Sequence, residues 1–172
     1  MPDALNIVID TREQTPWSWS EHKATTSIHG LAACDYALAE DCFAVDGHGT
    51  YGVRFGLERK SLEDMLGTIS SGWDRFLREL DRMQGSGFPA RIVIVEGNFS
   101  EFCFMSDDNG IHPPSHNHPR LLPAFVARRI AELSMMGVAV LFAGSAEYAA
   151  ALAYRIFRER CRNMEENHGR VV

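Results

Sequence analysis

Leu5-Asn6-Ile7-Val8-Ile9-Asp10 is a short apolar run that closes on an acid. It predicts a buried strand with Asp10 at its carboxyl end. Asp35-Tyr36-Ala37-Leu38 and Gly52-Val53-Arg54-Phe55-Gly56-Leu57 read as two further strands. The turn-forming Asp46-Gly47-His48-Gly49 between them predicts a hairpin. Residues about 24–31 are ambiguous between templates. From Ser61 the period lengthens. Leu62, Met65, Leu66 and Ile69 follow helical spacing, as do Trp73, Phe76, Leu77, Leu80 and Met83. Ser70-Ser71-Gly72 predicts a break between the two sets, and residues 85–89 end the second.

Arg91 to Gly97 is a continuous β-branched run, the pattern of a strand covered on both faces. A long polar stretch, 98–120, follows. Helix resumes from Leu121 to Met136, and Val138 to Phe142 is another buried strand. Ser145 caps a last helix reaching to about Asn163, with Tyr148, Leu152, Ile156 and Phe157 facing inward. Strands joined by helices imply parallel pairing through right-handed crossovers. The fold class is therefore α/β, a mixed central sheet flanked by helices, in one domain spanning 1–172.

Composition changes this picture little. The 172 residues are 45% hydrophobic and 23% charged, ordinary for a globular protein. No apolar run reaches the roughly 18 residues of a membrane span, so no membrane partner is expected. The first residues show no secretory signal. The four cysteines form no C-x-x-C pair. Both features point to a reducing cytoplasm. The net charge of −6 argues against coating nucleic acid by bulk charge. It leaves room for a local site that gathers acids, whose charge bound cations offset.

Candidate chemistry centres on Gly56 to Asp64. Glu58 and Lys60 are two apart, so a strand places both on one face and Arg59 on the other. Ser61 is suited to cap the following helix, with Asp64 as the acid of a capping box. Should the ends carrying Asp10, Asp35 and Glu58 meet at one edge of the sheet, several carboxylates and one lysine converge. Mg²⁺ takes such oxygen ligands together with waters and a substrate phosphate, and Mn²⁺ should substitute. Lys60 would orient a water or stabilise charge developing on phosphorus. The bland readings are a surface ion pair for Glu58 and Lys60, a capping role alone for Asp64, and a solvated helix face for Arg75, Arg78 and Arg82.

These residues resemble a known family. Ile9-Asp10-Thr11-Arg12-Glu13, then Asp35-Tyr36, then Glu58-Arg59-Lys60-Ser61-Leu62-Glu63-Asp64 are similar to the XPF-type nuclease domain of the PD-(D/E)xK superfamily. Its pattern is V-D-x-R-E, then G-D, then E-R-K-x-x-x-D. The resemblance runs from about residue 5 to 160. It implies a restriction-endonuclease-like core, with Asp35 and Glu58 as metal ligands, Lys60 as the catalytic lysine and Asp10 as a further site acid. Arg12, Glu13, Arg59, Asp64 and Arg75 would support the site or position DNA. The activity implied is metal-dependent endonucleolytic cleavage of DNA at branched, flap or fork structures. Its settings would be DNA repair, recombination or phage DNA processing, with a homodimer or larger complex as the acting form. The alternative is a non-catalytic member that binds DNA or protein.

Two departures stand out. Cys34 occupies the position of the family's glycine, where glycine suits a backbone geometry that cysteine resists. No helix-hairpin-helix module is readable, which suits a compact bacterial or phage protein. His112, His116 and His118 with Cys103 match no standard zinc spacing, and the loop around them reads as an exposed flap.

Overall fold

The structure, a computed structural model, describes residues 3–45, 47, 49–103, 105–107, 110–112 and 121–168; at 101, 103, 105–107, 110–112, 167 and 168 it describes backbone only. Among the described residues ten strands form: β1 (Leu5–Asp10), β2 (Ala24–Leu31), β3 (Tyr36–Leu38), β4 (Cys42–Ala44), β5 (Thr50–Val53), β6 (Gly56–Ser61), β7 (Arg91–Glu96), β8 (Met105–Asp107), β9 (Gly110–His112) and β10 (Val138–Phe142). The helices are α1 (Leu62–Ile69), α2 (Trp73–Gly85), α3 (Phe99–Cys103), α4 (Pro123–Met135) and α5 (Ala146–His168). Eight strands make one mixed sheet in the order β10-β7-β6-β3-β1-β2-β5-β4. As expected from the helix-linked strands, β6 pairs parallel to β7 and β7 parallel to β10.

Strand alternation sorts the core into two layers. Val8, Ala37, Val93 and Val95 face α1, α2 and α4, which contribute Met65, Leu66, Ile69, Phe76, Leu80, Val126 and Leu133. Ile7, Ile9, Tyr36, Leu57 and Ile94 face the other way, against Trp17, Trp19 and α5. Helix α5 turns Ala149, Ala150, Ala153, Phe157 and Cys161 to the sheet. Small residues there let the helix lie close. Tyr148, expected inward, is exposed; the alanine stripe displaces it from the core face. The Ser145 cap forms, its Oγ accepting from the Tyr148 N–H at 3.3 Å. The helix runs on to His168, five residues past its expected end.

Two readings change. Residues 24–31 are β2, parallel to β1 in register Leu5↔Ala24 through Asp10↔His29. Its residues are largely exposed, so no apolar period marks them. The expected hairpin is rearranged. Strand β3 does pair antiparallel with β6 through Tyr36↔Leu57. The turn-rich segment, however, closes a separate hairpin of β4 and β5, and Asp46 and His48 lie outside the described residues. Arg54 and Phe55 interrupt the strand predicted over 52–57 because the Arg54 N–H leaves the ladder to donate to the Asp41 carbonyl at 2.9 Å.

Asp41 also anchors α5. Its side chain is 1% exposed and accepts from Arg160 Nη2 at 2.6 Å and Nε at 3.0 Å. Arg160 is thus a tether between α5 and the turn after β3. Removing it strands a buried carboxylate. Arg160→Met should cost about 2 kcal/mol, below the usual range for buried pairs because water can enter where Arg160 is one-fifth exposed. Urea denaturation checks this, and a midpoint equal to wild type would show that the tether contributes nothing.

Candidate active site

Asp35 is delivered to the site by its own backbone. Its N–H donates to the Leu57 carbonyl of β6 at 3.0 Å, and its carbonyl accepts from the Asp10 N–H of β1 at 2.8 Å. It thus bridges the two strands just before β3 begins. The turn into it is tight: Cys34 has φ 65°, the sole non-glycine residue with positive φ among the described ones. That is the left-handed conformation the departure from glycine raised. Cysteine is accommodated because Gly56 lies opposite. A Cβ at Gly56 would stand 2.2 Å from Cys34 Sγ and 2.6 Å from the Tyr36 carbonyl. The Cys34 thiol is buried and donates to that carbonyl at 3.4 Å. Burial, then the charges of Glu58 and Asp35, push its pKa well up, so it is an inert thiol.

On β6, Glu58 and Lys60 project to the same face, with Nζ 2.5 Å from Glu58 Oε1. Lys60 also sits over the Phe76 ring of α2, at 5.6 Å. Both line a cleft of about 520 Å³ together with Asp35, Asp64, Arg12, Arg75, Glu79 and Arg82. A second hollow of about 480 Å³ shares Lys60, Asp64 and Arg75 and continues over the α1–α2 elbow at Gly67 and Gly72. Asp64 is also bound to the helix cap. Ser61 Oγ accepts from its N–H at 3.0 Å and donates to its carboxylate at 2.6 Å.

The charges in this cleft are mutually strained. Burial, then the Glu58 carboxylate, raises the Asp35 pKa to about 8, although the Arg59 N–H donates to its Oδ2 at 2.8 Å. Burial also raises Glu58, against the pull of Lys60. For Lys60, burial acts to lower the pKa, but Glu58 and then Asp35 outweigh it and hold the ammonium charged. Near neutral pH the pair Asp35–Glu58 thus holds a proton that a divalent cation would displace. Among the described residues no group of three or more His, Cys, Asp or Glu forms a ready-made ion cage. Two carboxylates beside an open cleft still fit Mg²⁺, which keeps several waters and uses one or two carboxylates plus substrate phosphate.

Asp10 is placed differently. Its Oδ1 accepts from the Arg12 N–H and Nε, both at 2.7 Å, and its Oδ2 from the Leu31 N–H at 2.7 Å and Arg12 Nη2 at 3.1 Å. These bonds outweigh burial and lower its pKa. The carboxylate is therefore committed to holding Arg12, whose side chain is 65% exposed and lines the cleft. Arg59 points to the opposite face. Its Nε and Nη2 donate to the two oxygens of Glu96 at 2.7 and 2.8 Å, and its Nη1 donates to Glu13 at 3.3 Å. Arg59 and Glu13 thus lie behind the cleft, not in it.

Glu79 and Arg82 enter the cleft beyond the expected set. With Arg75 they stand at i, i+4 and i+7 on α2, one helical face, and that spacing was the signal available in the sequence. The alternating signs had hidden it. The histidine question concerns Cys103, His112, His116 and His118, none of whose side chains is among those described.

The model of the ERCC4 domain matches residues 9–156. The chain belongs to the ERCC4 domain family. This is a nuclease family, and the match spans every residue of the cleft. Among the solved structures that share the fold are two of one archaeal protein. The first, XPF from Aeropyrum pernix, has a TM-score of 0.61 at 15% identity, with 88% of this chain and 64% of that chain covered. The second, XPF from Aeropyrum pernix in complex with DNA, has a TM-score of 0.64 at 16% identity, with 92% and 66% covered. The chain thus spans under two thirds of the length of the first of these. No curated protein matches it in sequence. No helix among the described residues is long and apolar enough to cross a membrane.

Proposed function

We propose that this protein is a divalent-metal-dependent DNA endonuclease that hydrolyses phosphodiester bonds in the cleft between β6, β3 and α2. The observation that carries this reading is the Asp35–Glu58–Lys60 set, Glu58 buried and the other two half-buried, beside an open cleft rimmed by arginines. Membership of a nuclease family supports it. Asp35 and Glu58 would hold Mg²⁺, or Mn²⁺ in its place. When bound, the ion polarises the scissile phosphate and lowers the pKa of the attacking water.

The chain's own residues do the rest. Lys60, kept charged by Glu58, directs an N–H toward the reacting phosphate or its water and stabilises charge as it develops. Arg12, Arg75 and Arg82 offset the charge of flanking phosphates, which the overall acidity of the chain cannot do. Asp10 locks the Arg12 guanidinium in place, a use its four protein donors favour over direct metal ligation. The Phe76 ring backs the Lys60 ammonium at 5.6 Å on its α2 side. A non-catalytic role would not need a lysine and two carboxylates held together against their own repulsion.

A branched, flap or fork junction is the proposed substrate and a homodimer the proposed acting form, in DNA repair, recombination or phage DNA processing in a bacterial cytoplasm. Both rest on kinship with the family. A panel of labelled duplex, flap, fork and four-way-junction DNAs, each with Mg²⁺, Mn²⁺ or chelator, tests the reading. Cleavage should require the metal and be strongest at a junction. Binding without cleavage across the whole panel would leave the non-catalytic alternative, and equal cutting of plain duplex would remove the junction preference.

A further inference from the structure

We infer that Glu96 is a positioning residue for the Asp35–Glu58 metal site, acting through Arg59 from the opposite face of the sheet. The inference rests on the metal-nuclease reading above. Glu96 ends β7, and β6 runs parallel to it with Ser61 opposite Glu96 and Arg59 opposite Ile94. Alternation puts Arg59 and Glu96 on the same face, diagonal neighbours behind the cleft. The guanidinium meets the carboxylate through two bonds, at 2.7 and 2.8 Å. This fork is the most directional ion pair available to a side chain.

Two further contacts make the fork rigid. Trp17 Nε1 donates to Glu96 Oε1 at 2.5 Å, and Glu13 accepts from Arg59 Nη1. Trp17 in turn lies flat on Tyr36, centroids 4.5 Å apart, and its N–H donates to the Tyr36 hydroxyl at 2.9 Å. Tyr36 is the residue after Asp35. The clamp therefore grips both segments that bear the site carboxylates: Asp35 through Tyr36 and Trp17, and Glu58 through Arg59.

The connection to the cleft is direct. The Arg59 N–H donates to Asp35 Oδ2 at 2.8 Å. One residue holds Asp35 with its backbone while its side chain is locked behind the sheet by Glu96. Arg59 also lies between Glu58 and Lys60, so any shift of its backbone moves both. Glu96 touches neither substrate nor ion; it sets the geometry of the groups that do. Outer partners of this kind are worth about 10–100-fold in metal affinity or activity.

The test compares Glu96→Ala and Glu96→Gln with wild type and Asp35→Asn. Mn²⁺ affinity is read by electron paramagnetic resonance, kcat and KM on a DNA that wild type cuts, and folding by thermal melting. Glu96→Ala should lose about tenfold or more in both Mn²⁺ affinity and kcat, with KM changed about twofold or less. Glu96→Gln keeps one acceptor for Arg59 and Trp17 and should fall between. A purely structural role would lower the melting temperature and leave the Mn²⁺ affinity of the folded protein unmoved, and that result overturns the inference. Should Glu96→Ala fail to fold, unchanged Mn²⁺ affinity in Glu96→Gln overturns it equally. Loss of binding in Asp35→Asn with none in the Glu96 variants rejects Glu96 alone. Wild-type Mn²⁺ binding in Asp35→Asn rejects the metal site, and the inference with it.

Discussion

Asp35→Asn should lower DNA cleavage roughly 10³-fold, a loss of about 4 kcal/mol of transition-state stabilisation, while the protein stays folded. The substitution keeps the shape of the side chain and an oxygen for the Arg59 N–H. It deletes the charge that a metal would need. It also removes the cost of burying an acid beside Glu58, so metal-free stability near neutral pH should rise, not fall. Lys60→Ala should lose roughly 10²-fold in kcat, but it leaves Glu58 buried without its ammonium and so melts earlier. The opposite stability effects of two inactivating changes mark a strained functional cluster, not a structural ion pair. Asp10→Asn is the informative companion. It loosens Arg12 and should raise KM for DNA, with Mn²⁺ affinity changed about twofold or less. Cleavage by Asp35→Asn within tenfold of wild type would take Asp35 out of the chemistry.

Metal-free stability should fall as pH rises from about 4 to 8, by up to ~1.4 kcal/mol per pH unit from Asp35 alone. The sign follows from proton counts. In the unfolded chain Asp35 ionises near its ordinary 3.8, whereas burial and Glu58 hold it protonated in the fold to about pH 8. Between those values the folded state binds more protons than the unfolded state, so each step up in pH favours unfolding. Glu58, also raised, adds a contribution of the same sign. Asp10, lowered by Arg12, acts oppositely but only at more acid pH. Mg²⁺ competes with the shared proton, so its stabilising effect should grow with pH. Thermal melts in chelator at several pH values check this, with Asp35→Asn as reference. Parallel wild-type and variant curves across the window would mean that Asp35 carries no such strain.

Much of the site was legible because its signal is local. Glu58 and Lys60 share a face for no reason other than being two apart on a strand, and Ser61 caps a helix because it precedes an apolar period. The break at Ser70-Ser71-Gly72 is likewise local in origin, and the parallel pairing of β6, β7 and β10 follows from the helices that join them. Strand β2 was illegible because both its faces are largely exposed. The hairpin was misassigned because turn chemistry says where a chain reverses, not which strands then pair. Tyr148 was placed inward by its period, yet the alanines beside it fit closer to the sheet.

Sequence alone determined which groups are available: a carboxylate and an ammonium on one strand face, an aspartate at the start of another strand, and arginines at helical spacing. These are properties of neighbours along the chain, and covalent geometry enforces them. Tertiary structure decided which of them meet. Asp35 reaches Glu58 only because its backbone bridges β1 and β6, and Asp10 turns to Arg12 because buried donors claim its oxygens first. Arg59 finds Glu96 thirty-seven residues away. Such pairings depend on strand order and on competition for desolvated partners, which only the assembled sheet resolves.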